Sequence, residues 1–220
     1  SGRPGLTGRM TLPIWEDRDW QPLPRLEGPA RADVCVIGLG GSGLAAMEEL
    51  GALGVSAIGV EAGEVGAGAA GRNGGFMLAG LARFFNETVV QFGEATASTL
   101  YRLTAQEIQR QAAELPEIIR LTGSLRLAAD EAERADCRKH LAALRYCGFA
   151  AEPYAGPEGE GILLPTDGVM QPLRRVRALA RKLRQRDALL YEGSPVRKIV
   201  PGSVVTERGT IFCDTVIVAV

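Results

Sequence analysis

Three glycines in the segment Gly38-Leu-Gly-Gly-Ser-Gly43 stand at the spacing G-x-G-x-x-G. In this pattern the first glycine permits a tight turn, the second lets the backbone approach a pyrophosphate, and the third lets a helix pack closely on a strand. The helix that follows offers free N–H groups and the positive end of its dipole to phosphates. The spacing therefore predicts a site for the pyrophosphate of a nucleotide.

An acidic residue, Glu61, stands at the end of the next apolar run, Val55–Val60. A carboxylate at this position accepts hydrogen bonds from ribose hydroxyls and repels a 2′-phosphate. The combination favours an adenine dinucleotide other than NADP. The alternative is a glycine-rich turn without a ligand, which is disfavoured because so many glycines carry an entropic cost.

A second glycine-rich stretch, GAGAAGRNGG at Gly66–Gly75, follows the acidic residue almost directly. An NAD-binding domain ordinarily resumes with a helix soon after this point, whereas a longer cofactor needs further backbone contacts. The stretch therefore favours FAD over NAD, with a flexible surface loop as the alternative reading.

The elements that must position these residues are typical of an α/β fold. We predict a Rossmann-like FAD/NAD(P)-binding domain with a parallel sheet and a small antiparallel β insertion between Lys198 and Ile211. The glycine turn lies between a buried strand at 32–37 and a helix at 41–53. Further helices are expected at 88–121, 130–146 and 171–186, and further strands at 55–60, 125–128, 188–191, 196–200, 204–206 and from 215 onward.

The expected domain organisation has an N-terminal arm at 1–31 and an FAD-binding domain at 32–220. Trp15 and Trp20 would anchor the arm by burying their rings, and a disordered tail is the alternative. Residues 84–165 are expected to contribute to a substrate or cap region. The apolar run at the end, 215–220, leads us to expect a longer polypeptide that continues a two-domain flavoenzyme.

Composition excludes several classes of partner. The 220 residues carry a net charge of −1 and are 46% hydrophobic, so nothing favours nucleic acid or an anionic membrane surface. No apolar stretch reaches the ~20 residues of a membrane span. The four cysteines form no C-x-x-C pair, and we expect them to be reduced in a cytoplasmic protein. His140 follows Arg138 and Lys139 and is expected on the surface, and no cluster has metal-ligand spacing.

The chain resembles the flavin-dependent D-amino acid oxidase superfamily, which includes glycine and sarcosine oxidases. The likeness extends over Thr11–Val220 and is strongest to the γ-glutamylputrescine oxidoreductase-like branch. It rests on GAGAAGRNGG, on Trp15 and on Asp33-Val-Cys-Val-Ile-Gly38. The stretch Pro165–Pro172 also resembles the P-x-x-G-x-x-x-P turn of this family. Ala70 departs from the pattern, because the family commonly has serine there.

This resemblance implies FAD as the cofactor. In such proteins the first glycine motif and the acid bind the pyrophosphate and ribose, the second loop, here including Gly71, runs towards the isoalloxazine, and a strand like that of Val196 contacts the adenine. The cofactor-binding residues expected on this basis are Gly38, Gly40, Gly41, Ser42, Gly43, Glu61, Ala62, Gly68, Ala69, Ala70, Arg72, Asn73, Gly74, Gly75, Val196 and Ala219.

The implied activity is oxidation of a C–N bond in an amine or amino acid by hydride transfer to the flavin. Two alternatives stay open: a dehydrogenase of the same fold that passes electrons to an acceptor other than oxygen, and a non-catalytic nucleotide-binding module. The expected partner is a small amine or amino-acid substrate. The sequence does not determine the catalytic residues, the substrate or the oligomeric state.

Overall fold

The computed structural model describes residues 14–220, which divide into two compact units. The first unit ends at Gly74 and resumes from Pro172 to Val220, and the second unit is Gly75–Gln171. The helices are α1 (Gly41–Ala52), α2 (Phe85–Phe92), α3 (Glu94–Glu114), α4 (Glu131–Tyr146) and α5 (Pro172–Arg184), with a 3-10 turn at Ala69–Gly71. The strands are β1 (Gly28–Arg31), β2 (Val34–Ile37), β3 (Ala57–Val60), β4 (Phe76–Met77), β5 (Ile119–Arg120), β6 (Ser124–Leu127), β7 (Glu152–Gly156), β8 (Gly159–Leu164), β9 (Gly168–Met170), β10 (Leu189–Tyr191), β11 (Val196–Val200), β12 (Ser203–Thr206), β13 (Gly209–Phe212) and β14 (Thr215–Val218).

A parallel sheet of order β10-β3-β2-β14 forms the centre of the first unit. Strand β2 reads Val-Cys-Val-Ile and is buried at every position, as expected for a parallel strand covered on both faces. It lies inside the sheet, and the first glycine turn follows directly at its carboxyl end. The predicted α/β fold with a parallel sheet is thereby confirmed.

A second sheet in this unit, of order β1-β13-β12-β11, contains the predicted antiparallel insertion. Its inner face packs on the parallel sheet through a core that includes Ile58, Val204 and Ile211. Strand β1 pairs in parallel with β13 and was not predicted. Its sequence, Gly-Pro-Ala-Arg, has no alternating pattern, and its pairing depends on residues far along the chain.

The described part of the N-terminal arm is anchored on helix α5. Trp20 is buried, and the guanidinium groups of Arg177 and Arg181 lie 5.0 and 5.4 Å from the centre of its ring. Arg177 Nη1 donates to the carbonyl of Asp17 at 3.1 Å, and Arg181 Nη2 donates to the Asp17 carboxylate at 2.9 Å. The expectation that Trp20 anchors the arm agrees with this geometry, while residues 1–13 of the predicted arm lie outside the described residues.

The second unit consists of two small antiparallel sheets, β4-β9-β5 and β6-β8-β7, with helices α2, α3 and α4. The single helix predicted at 88–121 is wrong in extent. Gly93 has a φ of +80° and separates α2 from α3. Helix α3 ends at Glu114, since Pro116 restricts the backbone of the residue before it, and a short strand follows. Strand β7 was missed because Glu-Pro-Tyr-Ala-Gly lacks an apolar strand pattern.

The prediction that His140 lies on the surface is wrong, because the residue is buried. Its Nδ1 accepts a hydrogen bond from the Phe85 N–H at 2.8 Å, and its ring lies edge-on to Phe84 at 5.0 Å. Burial, and to a smaller extent the charge of Arg126, lower the pKa of His140 to about 4. The charged neighbours along the sequence, Arg138 and Lys139, are exposed on α4, and the local composition could not reveal that His140 is buried.

The depressed pKa of His140 predicts a loss of stability in acid. The folded protein keeps the imidazole neutral down to about pH 4, whereas the unfolded chain protonates it near the usual value of 6.5. The contribution of the neutral imidazole to the free energy of unfolding is therefore fully present above about pH 6.5. It is lost as the pH falls towards 4, by on the order of 3 kcal/mol. The substitution His140→Asn retains an acceptor for the Phe85 N–H and removes the titration. Thermal unfolding as a function of pH should show a flatter profile for H140N across this window; parallel profiles would contradict the assignment.

Candidate cofactor-binding site

The first glycine turn is a close contact between strand β2, helix α1 and strand β14. Gly38 has a φ of +94°, and a Cβ there would lie 2.6 Å from the carbonyl oxygen of Ala219. A Cβ on Gly43 would lie 1.8 Å from the carbonyl oxygen of Gly38. Both positions therefore accept glycine alone, and the helix begins at Gly41 directly against the turn.

Gly40, between these two glycines, is open. A Cβ there would meet nothing closer than the Ala70 Cβ at 3.6 Å, and its φ of −79° is one that any residue adopts. Within residues 14–220 no side chain caps the first turn of α1, and no acidic residue lies in this turn. The exposed Ser42 and half-buried Gly41 belong to this turn. The amino end of α1 is thus a backbone surface suited to an anion such as a pyrophosphate.

Glu61 is held at the carboxyl end of β3 by two backbone donors. Its Oε2 accepts from the Leu39 N–H at 3.0 Å, and its Oε1 accepts from the Gly63 N–H at 3.0 Å. The Glu61 carbonyl accepts from the Ser194 N–H at 2.9 Å, which brings the start of strand β11, at Val196, to the same edge. The carboxylate therefore stands beside the first glycine turn with its orientation determined by main-chain contacts.

Ala219 reaches the site from the far end of the sequence. Its N–H donates to the Ile37 carbonyl at 2.8 Å, which places it at the end of β14 next to the first glycine turn. A Cβ on Gly43 would lie 3.5 Å from the Ala219 side chain. The structure thus brings the first glycine motif, Glu61, Val196 and Ala219 to the carboxyl edge of one parallel sheet, where α/β folds bind ligands.

The second glycine loop repeats the first in spacing and in conformation. Gly66-Ala-Gly-Ala-Ala-Gly71 is again G-x-G-x-x-G, and Gly66 has a φ of +81°. Gly68 has φ and ψ of −88° and −157°, close to the −79° and −165° of Gly40. A Cβ on Gly71 would lie 2.1 Å from the Gly66 carbonyl oxygen, which is the same clash that a Cβ on Gly43 would make with the Gly38 carbonyl oxygen. The same turn therefore occurs twice, the second time opening a 3-10 turn.

The sequence analysis did not include Gly66 among the site residues. The signal was present, because the spacing of the first motif recurs 28 positions later. It was missed since the second turn lacks the strand before it and the long helix after it that define the pattern in α/β folds.

Side chains of the second loop hold its own backbone. Arg72 Nε donates to the Ala67 carbonyl at 2.5 Å, and Asn73 Nδ2 donates to the Ala70 carbonyl at 3.0 Å. Around Gly68 the backbone is open, since no atom of the described residues lies within 4 Å of a Cβ built there. The predicted residues Ala62, Gly68, Ala69, Arg72, Asn73 and Gly74 are exposed, Ala70 is half-buried, and Gly75, with a φ of +76°, begins the second unit.

Two buried charged residues that the sequence analysis missed tie the second loop to the arm. The Glu192 carboxylate, 3% exposed, accepts from the Leu23 N–H at 2.6 Å and from the Val65 N–H. Arg177 Nε donates to the Val65 carbonyl at 3.2 Å. The Trp15 indole N–H donates to the Asn73 carbonyl at 2.9 Å. The local sequence around a single charged residue does not indicate such contacts, because they join segments far apart in the chain.

A family comparison identifies the cofactor. The family model described as FAD dependent oxidoreductase (DAO) matches residues 33–220. The chain belongs to this family. FAD is therefore its cofactor, and the open backbone at Gly40 and Gly68, the uncapped end of α1 and the carboxylate of Glu61 fit an adenine dinucleotide.

Individual relatives agree with the family. A probable oxidoreductase, OrdL, from Rhizobium meliloti (strain 1021) is 30% identical in an alignment that covers 90% of this chain and 51% of the relative. An L-amino acid deaminase from Proteus vulgaris has a TM-score of 0.74 at 18% identity, covering 91% of this chain and 56% of its own. A glycine oxidase from Geobacillus kaustophilus has a TM-score of 0.66 at 23% identity, covering 86% and 55%. The chain thus spans about half the length of these proteins, and the two structures support the fold.

Among residues 14–220, no helix has both the length and the apolar character needed to cross a membrane.

Two alanine substitutions in the second loop should separate folding from cofactor binding. Gly71→Ala places a Cβ against the Gly66 carbonyl and should lower the free energy of unfolding by roughly 2–3 kcal/mol. Gly68→Ala enters open space and should change it by less than about 1 kcal/mol. Because its Cβ would stand on the exposed backbone, G68A should nevertheless weaken FAD binding by about tenfold. Chemical denaturation and FAD titration of both variants test this; equal stability of the two variants would contradict the geometry.

Proposed function

We propose that the chain forms the FAD-binding part of an oxidoreductase that oxidises a C–N bond of an amine or amino acid. The observation that carries the cofactor assignment is the pair of glycine turns with one backbone conformation, next to a carboxylate that main-chain donors orient. When bound, FAD supplies a hydride acceptor for the carbon that bears the nitrogen.

In this proposal the predicted site residues contact successive parts of the cofactor. The amino end of α1 and the backbone at Gly40 bind the pyrophosphate, and Glu61 accepts hydrogen bonds from the adenosine ribose. The backbone at Val196 contacts the adenine, and Ala219 closes the turn at Gly38. The loop from Gly68 to Gly75 follows the cofactor beyond the pyrophosphate. No residue of the chain is assigned as a catalytic acid or base.

The substrate class rests on the names of the similar structures. These include an L-amino acid deaminase and a glycine oxidase, both of which are named for their action on amino acids. At 18% and 23% identity they share a fold with this chain, and the transfer of substrate class is our inference.

We further propose a relationship to the γ-glutamylputrescine oxidoreductase-like branch. The resemblance rests in part on Trp15 and on the segment that contains Asn73, and a hydrogen bond of 2.9 Å joins these two residues. This contact supports the relationship to that branch, because it joins two separate segments that carry the resemblance. Together these segments hold the second glycine loop.

The division of labour between domains is also a proposal. The first unit, which carries both glycine turns, is the cofactor-binding domain, and its described arm belongs to it through Asp17 and Trp20. Residues 84–165 lie within the second unit, Gly75–Gln171, and we propose that this unit contributes to the substrate or cap region.

Anaerobic flavin reduction tests the activity. The full-length protein, loaded with FAD, should lose its absorption near ~450 nm when a substrate amine or amino acid is added without oxygen. Reoxidation by oxygen or by a quinone then separates an oxidase from a dehydrogenase. A protein that binds FAD and is reduced by no amine or amino acid would favour a non-catalytic nucleotide-binding module, and a colourless protein that binds NAD would overturn the flavin assignment.

A further inference from the structure

Helix α5 lies alongside helix α1 in the same direction and in a fixed register. Lys182 Nζ of α5 donates to the Glu48 carboxylate of α1 at 2.7 Å. Seven residues earlier on both helices, Arg175 Nη1 lies 3.7 Å from the position of a Cβ built on Gly41. Because seven residues make nearly two helical turns, Arg175 and Lys182 lie on one face of α5. This register places the guanidinium group of Arg175 at the amino end of α1.

The two positions on α1 differ in what they offer to a cation. Glu48 supplies a carboxylate to Lys182, whereas Gly41 has no side chain. Among the residues that the structure describes, no acidic residue lies in the first turn of α1 or of α5. Arg175 therefore lies beside the first N–H groups of α1 and the positive end of its dipole. A cation there opposes the dipole, and an anion bound at the same place removes this opposition.

The amino end of α5 contacts the second glycine turn as well as the first. The Leu173 Cδ1 lies 2.7 Å from a Cβ built on Gly66 and 3.0 Å from one built on Gly71. The two turns also meet each other, since a Cβ on Gly40 would lie 3.6 Å from the Ala70 Cβ. All of these residues belong to the first unit. The first turn of α5 is thus a wall of the region in which the two glycine turns meet.

Arginine is well suited to an anion in this region. Its guanidinium group is permanently charged and presents N–H donors in a planar fork that matches phosphate oxygens. The backbone of the first glycine turn supplies neutral donors, and the pyrophosphate of FAD is a dianion. Arg175 is half-buried, so salt and water screen its charge less than that of an exposed side chain.

We propose that the guanidinium group of Arg175 donates to the pyrophosphate of FAD and adds a positive charge to the backbone donors of α1. This inference deepens the proposed function and rests on its placement of the pyrophosphate at Gly40. Arg175 is not among the cofactor-binding residues expected from the sequence, because only the packing of α5 on α1 brings it to the first glycine turn.

The test compares Arg175→Met with the matched control Arg174→Met. Arg174 is exposed and lies in the same turn of α5, so both variants remove one positive charge from the same end of one helix. FAD and ADP are titrated into the full-length protein freed of FAD. We expect R175M to bind both at least about tenfold more weakly, as for loss of a charged hydrogen bond, and R174M to change binding by less than about twofold. ADP shares the pyrophosphate with FAD and lacks the flavin ring.

Two further measurements separate a charge contact from a structural role. Salt should weaken FAD binding to the unmodified protein and to R174M, and it should weaken binding to R175M less, because the screened contact is gone. Thermal unfolding of FAD-free R175M should show no loss of stability, since the substitution removes a cation from the amino end of α1. A structural role would instead lower the stability and leave the salt response unchanged.

Equal FAD affinity of R175M and R174M, or equal salt response of R175M and the unmodified protein, would overturn the proposal. If R175M fails to fold, Arg175→Lys decides. R175K keeps the charge and loses the fork, so it should bind FAD several-fold more weakly, and unchanged affinity would overturn the proposal. An unmodified protein that binds neither FAD nor ADP would refute the proposed cofactor site itself. Binding of both without dependence on Arg175 would refute this inference alone.

Discussion

The contact between helix α1 and the turn at Gly38 is the constraint on which the cofactor site depends. The Gly38 carbonyl lies where a side chain on Gly43 would have to begin, and Ala219 fills the space where a side chain on Gly38 would begin. This close contact places the amino end of α1 at the carboxyl edge of the sheet. Glu61, Val196 and Ala219 reach the same edge because their strands or the segments beside them pair with β2 or β3.

The second loop uses the same physical solution without the same scaffold. Gly66 and Gly71 repeat the contact of Gly38 and Gly43, yet only a single 3-10 turn follows. A long helix cannot stabilise this loop, and other contacts replace it. Gly66 packs against Leu173 of α5, Glu192 accepts from the loop at Val65, and Trp15 donates to Asn73. The described arm is thus part of the support for the exposed backbone at Gly68.

The two units differ in how they place polar groups in their interiors. In the first unit the buried charges, Glu192 and Arg177, bind backbone groups of neighbouring segments and determine loop positions. In the second unit Asp167 and His140 also accept backbone hydrogen bonds, but the hydroxyl of Tyr101 makes no hydrogen bond within the described residues. A buried hydroxyl without a hydrogen-bond partner costs stability.

The sequence by itself determined the class of fold, the first glycine turn and its acidic partner, because these depend on local chemistry: a buried apolar strand, glycines at backbone-limited positions and a carboxylate at a strand end. It also predicted the antiparallel insertion. It did not reveal strand β1, the burial of His140 or the contacts of Glu192 and Trp15. Each of these was decided by tertiary structure, since the partner that satisfies the residue or the surface that covers it lies far away in the chain. The second glycine turn, at Gly66, depended on both. Its G-x-G-x-x-G spacing is visible in the sequence, but only the backbone conformation showed that it is the same turn as the first.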